Sequence, residues 1–342
     1  MAAADEIPAK MRAVQYDACG GGAAGLKHVE VPVPSPKKKE LLLKVEAASI
    51  NPVDWKVQKG MLRPLLPLRL PCIPATDVAG VVAAVGPGVD GFKPGDKVVA
   101  MLDIFNGGGF AEYAVSPAKM TVKKPPGVSA ADGAGLPTAG RSALKSLRSI
   151  GAKFDGTTST PQKNVLITAA SGGVGHYAVQ LAKLAGFHVT ASCDAQNMDL
   201  VRSLGADEVL DYKTPEGASL RSPSGKKYDG VIHCTGVGIA WSAFKPVLAA
   251  KSGKVVDITA NRSAMLRSVV QRVTFARKRL VPLFLWPNNA DVDLEFMVGL
   301  LEEGKLRTVV DSRFPLSDVS KAWDRSTEGH PTGKIIVDIM EG

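Results

Sequence analysis

The amino-acid sequence predicts an α/β protein in which a β-rich module is followed by a doubly wound parallel sheet. Short β-type segments separated by Pro and Gly turns run from residue 11 to about residue 126. Helical and strand patterns alternate from about residue 133 onward, and a glycine-rich turn links one of these strands to a helix. At 342 residues the chain suits two domains of roughly 150 residues each.

The β-rich module is predicted from segments such as 41–45, 81–85 and 97–101. In the second module, further strands are predicted at 188–192, 208–210, 230–234 and 254–258. After Pro287 the pattern becomes helix (294–303), strand (308–310), helix (318–326) and strand (334–339), and we expect this tail to pack back on the first module. The predicted domains are therefore 1–126 with 290–342, and 127–289.

The most informative motif is the glycine-rich turn at residues 169–175. The apolar segment 165–168 leads into it, and apolar residues recur at helical spacing after it. Glycines let the backbone approach a ligand closely, and the N–H groups at the start of a helix attract anionic oxygens. The motif predicts a dinucleotide pyrophosphate site, with a tight turn that binds no ligand as the alternative. The predicted contacts are Ser171, Gly172, Gly173, Val174 and Gly175.

Composition narrows the class of protein. The apolar fraction of 45% and the charged fraction of 22% are typical of globular proteins. Lys, Arg or Pro interrupts every apolar run before it reaches the ~20 residues needed to cross a bilayer. We therefore do not expect this chain to be an integral membrane protein. Four scattered cysteines favour a reducing compartment over a disulfide framework. The first ten residues predict neither a secretory signal nor a cleavable transit peptide.

The formal charge of +9 points toward anionic partners. Candidate patches are residues 37–39 and the acid-free stretch 262–279, whose first four arginines are five residues apart. This spacing turns about 140° per step around a helix, so the charges spread instead of forming one basic face. The favoured interpretation of these basic patches is an ordinary solvated surface, and peripheral attachment to an anionic membrane is the next alternative. No nucleic-acid partner is expected.

Further motifs resemble the medium-chain dehydrogenase/reductase superfamily. They are residues 74–82, with Ala75 where Gly is more usual, 92–98 and 107–113. The segments 51–56, 169–177, 204–213 and 333–337 are similar to the quinone oxidoreductase branch, particularly its plant chloroplast envelope members. The resemblance implies a GroES-like β-rich catalytic domain plus a Rossmann domain, a nicotinamide cofactor, and reduction of quinones or α,β-unsaturated carbonyls (enones).

The residues predict no zinc. Alcohol dehydrogenases of the superfamily hold catalytic zinc with a Cys near the position of Asn51 and a His-Glu pair near Thr76 and Asp77, and this chain lacks those ligand types there. The five histidines show no metal-ligand spacing with the cysteines. His176 follows the glycine turn and could act as a general base, but a structural role is favoured.

Without a metal, the chemistry lies mainly in the cofactor. Hydride transfer to a quinone or to the β-carbon of an enone builds negative charge on the substrate oxygen, which a nearby donor would stabilise. Lys56 and Asn51 are the catalytic candidates, because the resemblance puts their segment at the cleft between domains. Asn51 is also expected to contact the ribose or nicotinamide, and a solvated lysine is the alternative for Lys56.

Cofactor choice is where the chain departs from its relatives. After the second strand, NADPH-using relatives typically place a small residue and then a basic one, whereas this chain has Asp194 and Gln196. A carboxylate there would repel a 2′-phosphate and could accept from the ribose hydroxyls of NADH. The resemblance still favours NADPH, with Lys213 or a residue not identified from the sequence supplying compensating charge. The alternative for Asp194 is a surface carboxylate that points away from the cofactor. Further implied cofactor contacts are Thr138, Ser192, Asp194, Asn197, Tyr212, Thr235, Ile258, Phe284 and Lys334.

Several alternatives stay open at this point. If the protein is an enzyme, the alternative to a quinone or enone reductase is a dedicated reductase of alkenals or oxylipin-like ketones. If it is not an enzyme, the alternative is a non-catalytic, cofactor-binding peripheral membrane protein. Residues 280–285 could form an edge strand that pairs in a homodimer. The substrate is expected to be a small lipophilic molecule. By resemblance the location is the chloroplast, peripheral on the envelope, with the cytoplasm as alternative.

Overall fold

The computed structural model describes residues 6–61, 63, 69–157, 162–236, 238–250, 253–259, 261–283 and 290–340. The chain forms two compact units. The first comprises Met1–Ala139 with Pro287–Gly342, and the second comprises Gly140–Trp286. Both units combine helices with sheets, which confirms the predicted α/β class.

The strands are, in chain order, β1 (Lys10–Gln15), β2 (Lys27–Pro32), β3 (Glu40–Ile50), β4 (Asp77–Val85), β5 (Lys97–Met101), β6 (Tyr113–Pro117), β7 (Thr121–Lys123), β8 (Asn164–Thr168), β9 (His188–Cys193), β10 (Glu208–Asp211), β11 (Gly230–His233), β12 (Lys254–Asp257), β13 (Arg279–Pro282), β14 (Val310–Pro315) and β15 (Lys334–Asp338). The α-helices are α1 (Pro52–Gln58), α2 (Ala130–Gly135), α3 (Pro137–Ser149), α4 (Gly175–Leu184), α5 (Met198–Ser203), α6 (Pro215–Ala218), α7 (Trp241–Phe244), α8 (Arg262–Val273), α9 (Ala290–Glu302) and α10 (Val319–Glu328).

The first unit is built on one mostly antiparallel sheet. Its strand order is β14-β15-β3-β4-β5-β7, with β6 paired to β3, while β1 and β2 form a separate hairpin. Alternate residues of β3 and β4 enter a core that also includes Trp323 of α10. Burial of these apolar side chains stabilises the sheet. The strand β15, from the chain's return, lies between β14 and β3 and so completes this sheet.

The second unit is a parallel sheet with helices between its strands. The strand order β10-β9-β8-β11-β12-β13 runs outward in both directions from β8. Ligands of such sheets bind beyond the carboxyl ends of the strands, where the order reverses. Here the reversal falls between β8 and β11, and β8 is the strand that leads into the glycine turn.

Two local predictions differ from the structure. The strand β14 spans Val310–Pro315, so it overlaps the predicted strand 308–310 only at residue 310. Its ladder with β15 is irregular between Val310 and Ser312, and before it the Thr308 hydroxyl donates to the Asp132 carbonyl over 3.1 Å. The segment 51–58 is helical within the module predicted to be all β. Pro52 at the first helical position and the capping box of Asn51 with Asp54 explain this helix.

The units divide the chain at slightly different residues from the predicted domains. The first unit extends to residue 139 instead of 126. Helix α2 lies in this extension and packs against β3, β4 and β15 of the first unit's sheet. Among the described residues, no helix is long and apolar enough to cross a membrane.

Residue 75, which is Ala where the resembling proteins more usually have Gly, has a backbone conformation that favours glycine. Ala75 has a φ of 67°, a left-handed conformation that glycine adopts at less cost than alanine. It precedes β4, and its carbonyl accepts a hydrogen bond of 2.9 Å from the N–H of Gly109. This tight turn accounts for a preference for Gly at this position in the resembling proteins.

Candidate cofactor and reduction site

The glycine turn connects β8 to α4 in the second unit. A Cβ on Gly175 would lie 2.1 Å from the carbonyl oxygen of Ala169, so the close approach of helix and strand requires glycine. Ser171 is buried, and Gly172, Gly173 and Val174 are half-buried. No side chain caps the N-terminus of α4, and its first turn carries no acidic residue. These residues therefore fit an anionic pyrophosphate held by backbone N–H groups.

His176 belongs to the architecture of this turn. Its Nδ1 lies 3.0 Å from the carbonyl oxygen of Gly172, and the side chain is fully buried. Its ring contacts that of Tyr177 in a tilted arrangement, with centroids 3.9 Å apart. This placement ties the first turn of α4 to the glycine loop, in keeping with a structural histidine.

Other predicted cofactor contacts lie at the same carboxyl edge. Buried Ser192 ends the β9 pairing with β8, and its carbonyl accepts a hydrogen bond of 2.9 Å from the N–H of Ala170. Thr235 and Ile258 follow β11 and β12 respectively. The Thr235 carbonyl accepts a hydrogen bond of 2.9 Å from the hydroxyl of Thr259. The sheet thus gathers these residues along one edge, as the carboxyl ends of parallel strands must.

Asp194 directly follows β9 and is held by three neighbours. Its Oδ1 accepts a hydrogen bond of 3.2 Å from the Gln196 N–H, and its Oδ2 accepts a long one of 3.5 Å from the Tyr212 hydroxyl. Lys213 forms an ion pair with Oδ2. This pair lowers the pKa of the Asp194 carboxyl and raises that of the Lys213 ammonium. Asn197, at the end of the same short turn, is half-buried.

A second polar cluster lies in the first unit and centres on Asn51. The Lys334 ammonium donates to Asn51 Oδ1 over 2.7 Å, and Asn51 Nδ2 donates to Asp77 Oδ2 over 2.9 Å. Asp77 also accepts from the Thr138 backbone N–H at 2.9 Å and from its hydroxyl at 2.7 Å. Asp77 therefore brings the predicted residues Asn51 and Thr138 together, and Lys334 joins them through its bond to Asn51. From the sequence, Asp77 is notable only as a position without a zinc ligand.

Asp54 adds a second carboxyl to this cluster. Its Oδ2 accepts a hydrogen bond of 2.7 Å from the N–H of Asn51, as part of the capping box of α1. Burial raises the pKa of Asp54 to about 7, although the bond from Asn51 opposes the shift. Burial also lowers the pKa of the Lys334 ammonium, against the attraction of Asp77 and Asp54. The cluster is thus a buried set of groups whose charges depend on one another.

Lys56 lies on α1, one turn after the cap. Its ammonium lies 5.5 Å from the centroid of the Trp55 ring, and the side chain is half-buried. Burial lowers the pKa of this ammonium. A cation over an aromatic face and partly withdrawn from water interacts more strongly with an anionic group than a solvated lysine does.

The donor set around Asn51 does not fit zinc. Its side chains are one amide, two carboxyls, one hydroxyl and the Lys334 ammonium, whereas zinc favours sulfur and imidazole ligands. The ammonium would repel a divalent cation placed among these groups. Across the residues that the structure describes, no three His, Cys, Asp or Glu side chains are grouped to hold a metal ion.

One predicted cofactor contact, Phe284, lies outside the described residues. The roles of Asp54 and Asp77 are not predicted from the sequence. The capping-box spacing from Asn51 to Asp54 could have revealed the first. Asp77 carries no local signal, because its partners lie 26 and 61 residues away in the chain.

Comparison with known proteins identifies the family. Residues 37–126 match the alcohol dehydrogenase GroES-like domain, and residues 204–337 match the zinc-binding dehydrogenase domain. A chloroplast envelope quinone oxidoreductase homologue of Arabidopsis thaliana is 60% identical over 96% of this chain and 98% of its own. An NADPH-dependent alkenal/one oxidoreductase, chloroplastic, of the same plant is 33% identical over 97% of this chain and 80% of its own.

Solved structures agree with this. The quinone oxidoreductase from Coxiella burnetii superposes with a TM-score of 0.83 at 29% identity, covering 97% of this chain and all of that one. The chain belongs to the medium-chain dehydrogenase/reductase family of nicotinamide-dependent oxidoreductases, with GroES-like and Rossmann domains. The similarity to chloroplast proteins supports a chloroplast location.

Proposed function

We propose that this protein reduces quinones or enones with NADPH by hydride transfer. The observation that carries the proposal is the glycine turn at the strand-order reversal of a parallel sheet, in a chain 60% identical to a quinone oxidoreductase homologue over nearly its whole length. The likeness to an alkenal/one oxidoreductase supports enones as a second substrate class. A small lipophilic molecule is the expected substrate.

The cofactor supplies the hydride when bound. The chain's own residues bind and orient the cofactor and the substrate and stabilise the charge that develops. Residues 171–175 hold the pyrophosphate, with Ser192, Asn197, Thr235 and Ile258 along the same sheet edge as further contacts. Thr138 and Lys334 are also proposed cofactor contacts, and both belong to the hydrogen-bonded cluster that fixes the position of Asn51. Phe284 remains a proposed contact.

Lys56 and Asn51 are the proposed catalytic residues. When negative charge forms on the substrate oxygen, the Lys56 ammonium and the Asn51 amide stabilise it. An amide NH₂ has two hydrogens, so the bond from Asn51 to Asp77 leaves one for substrate or cofactor. The bond from Lys334 fixes which end of the amide carries the hydrogens. We propose that this transfer needs no zinc, because an ammonium already supplies the positive charge in the cluster.

The test is a titration of the purified protein with NADPH and NADH, followed by turnover of one quinone and one long-chain enone. Lys56→Ala is expected to lower kcat/KM at least tenfold, in the range found when a charge-stabilising donor is removed. The matched control is Lys59→Ala, since Lys59 is exposed and also lies over the Trp55 ring, 4.9 Å from its centroid. If neither dinucleotide binds, the proposal fails in favour of a non-catalytic role.

The substrate range separates the two enzyme alternatives. A dedicated alkenal or oxylipin-ketone reductase would show a kcat/KM for the enone far above that for the quinone. A general quinone reductase would show the reverse. Comparing both substrates at one NADPH concentration, with the cofactor oxidation followed by absorbance, distinguishes them.

We further propose a peripheral contact with an anionic membrane through α8. Its buried side chains include polar Ser268 and Gln271, while an apolar row faces solvent. The exposed fractions of that row, which we name the α8 stripe, are Leu266 67%, Val269 58%, Val270 52% and Val273 71%, with Phe275 at 84% just beyond. Helical spacing places the four on one side of α8.

Charge complements this stripe. Residues 262–279 contain six basic side chains and no acidic one, and the arginines at 262, 267 and 272 are exposed. An apolar row between cations is the pattern of helices that lie in the interface of anionic bilayers. The arginines are spread around the helix and so do not form one basic face. Their spread places cations on both sides of the α8 stripe.

A homodimer is the last part of the proposal. The strand β13 forms one edge of the second unit's sheet, within the part of the chain that the structure describes. An edge strand offers backbone groups for pairing with a second copy. Analytical ultracentrifugation of the purified protein tests this, and a monomer at micromolar concentration would contradict it.

A further inference from the structure

Lys213 and Asp194 meet because two neighbouring parallel strands end together. Strands β9 and β10 pair in register up to Cys193 and Asp211, and the N–H of Tyr212 donates to the carbonyl of Cys193 over 3.2 Å. Asp194 is the first residue after β9 and Lys213 the second after β10, so both lie just beyond the carboxyl ends of these two strands. The result is the ion pair of Lys213 with Asp194.

This edge adjoins the glycine turn. Strand β9 pairs with β8 through Ser192 and Thr168, the last residue before the turn. A dinucleotide whose pyrophosphate lies at that turn extends its adenosine ribose toward the end of β9. Asp194 directly follows β9, so a 2′-phosphate at that strand end would lie near its carboxylate. Alone, this carboxylate would repel a group carrying about two negative charges.

The ion pair changes that outcome. Asp194 has only 20% of its side chain exposed, and its carboxylate is fixed by the Gln196 N–H, whereas 61% of the Lys213 side chain is exposed. The lysine is therefore the movable partner. Its ammonium also lies 5.9 Å from the centroid of the Tyr212 ring, so an aromatic face and a carboxylate together keep a cation at this position.

Building on the NADPH preference proposed above, we infer that Lys213 determines the choice of dinucleotide. Paired with Asp194, it cancels the carboxylate charge that would exclude a phosphorylated ribose, and it offers its ammonium to the 2′-phosphate. Without Lys213, the Asp194 carboxylate has lost its cation and accepts from the ribose hydroxyls of NADH. A single exposed lysine thus sets the preference in a chain that lacks the small and basic residues its relatives place after β9.

Binding measurements test this without any turnover. Dissociation constants for NADPH and NADH are measured by calorimetry for the wild type, Lys213→Ala, Lys213→Arg and Asp194→Asn, with 2′,5′-ADP and 5′-AMP as fragments that differ only in the phosphate. Asn at 194 keeps an oxygen for the Gln196 N–H. The matched control is Lys183→Ala, which breaks a Lys–Asp pair of 2.8 Å with Asp207, at the amino end of β10.

We expect Lys213→Ala to weaken NADPH and 2′,5′-ADP binding about tenfold or more, since a charge-assisted contact is lost and a repulsion is exposed. NADH and 5′-AMP should bind as tightly as before or more tightly. Lys213→Arg should restore most of the loss, Asp194→Asn should tighten NADPH binding severalfold, and Lys183→Ala should change nothing.

Two results would overturn the inference. Equal weakening of both dinucleotides by Lys213→Ala, or none, would mean that the pair is only a surface ion pair. A wild type that prefers NADH would mean that Asp194 already acts on the ribose in spite of Lys213. A wild type that binds neither dinucleotide would instead overturn the proposed function itself, so the two failures are distinguishable.

Discussion

The Lys334 ammonium donates a hydrogen bond of 2.7 Å to the amide oxygen of Asn51, although the two residues lie 283 positions apart in the chain. Both side chains are buried, with exposed fractions of 3% each. The bond joins the strand β15 to the start of α1, and the same ammonium lies 3.4 Å from the carbonyl oxygen of Ile50. This lysine is therefore the cation of a buried cluster that holds two carboxyls.

Removing that cation should destabilise the protein. Lys334→Met leaves the Asn51 and Ile50 oxygens without their donor and Asp77 and Asp54 without a nearby positive charge, so we expect a loss of about 3 kcal/mol in the free energy of unfolding. Urea denaturation measures it. The matched control is Lys321→Met, which breaks an exposed ion pair with Asp318 and should cost less than about 0.5 kcal/mol. Equal effects of the two substitutions would show that the cluster contributes no stability.

Asp54 should make stability depend on pH in an unusual direction. Its pKa is raised to about 7 in the folded protein by burial, against about 3.9 for an unfolded Asp. Between these values the folded state keeps a proton that the unfolded state has released, so the Asp54 contribution to stability falls as pH rises from about 4 to 7. The full effect is at most about 4 kcal/mol.

Asp54→Asn removes this titration while keeping an oxygen for the Asn51 N–H. The free energy of unfolding of the variant, relative to wild type, is expected to increase steadily from pH 4 to about pH 7 and then level off. Urea denaturation at half-unit pH intervals provides the curve. A difference that is constant across this range would show that Asp54 does not hold its proton in the folded state.

Two glycines should respond oppositely to alanine. Gly175→Ala places a Cβ 2.1 Å from the Ala169 carbonyl oxygen, which must displace the turn, so dinucleotide binding should weaken more than tenfold and stability should fall by at least about 2 kcal/mol. Gly299 lies inside α9, and nothing is within 4 Å of its ideal Cβ, so Gly299→Ala should stabilise by about 0.5–1 kcal/mol. Calorimetric titration and thermal unfolding measure both, and tight binding by Gly175→Ala would rule out the turn as the pyrophosphate site.

The α8 stripe should be needed for membrane binding. Leu266→Ser with Val273→Ser removes two exposed apolar side chains and should weaken sedimentation with anionic phosphatidylglycerol vesicles at least fivefold, because less apolar area enters the bilayer. Wild-type binding should be weak to zwitterionic phosphatidylcholine vesicles and should fall with added salt.

The matched control is Val292→Ser, at an apolar residue of α9 with an exposed fraction of 57%, which should leave vesicle binding unchanged. If the double substitution instead abolishes self-association and leaves vesicle binding intact, the stripe is covered by a second copy of the chain and the membrane proposal is wrong.

The sequence was sufficient for the architecture and for the glycine turn because both depend on local patterns. Alternating strands and helices predict the parallel sheet, and the spacing of Gly172, Gly173 and Gly175 predicts the turn. The arrangement around Asn51 depends instead on side chains from separated elements. Asp77 and Lys334 come from strands distant in sequence, and no periodicity indicates that an amide would bridge a carboxylate and an ammonium. Likewise, Asp194 was recognised as a departure, but its pairing with Lys213 follows from the common end of two strands.

The position of β15 also bears on how the protein is made. The second unit is continuous in sequence, whereas the first is assembled from residues on both sides of it, and β15 pairs with both β14 and β3. Domains generally fold as units while the chain emerges from the ribosome. The parallel sheet can therefore form during translation. In contrast, β3 lacks one neighbouring strand until β15 is synthesised, because Ile50 pairs with Ile335, which lies 285 residues later. Until β15 is synthesised, Asp77 and Asp54 lack the positive charge of Lys334. The incomplete antiparallel sheet then has an unpaired edge, which is a site for non-native pairing.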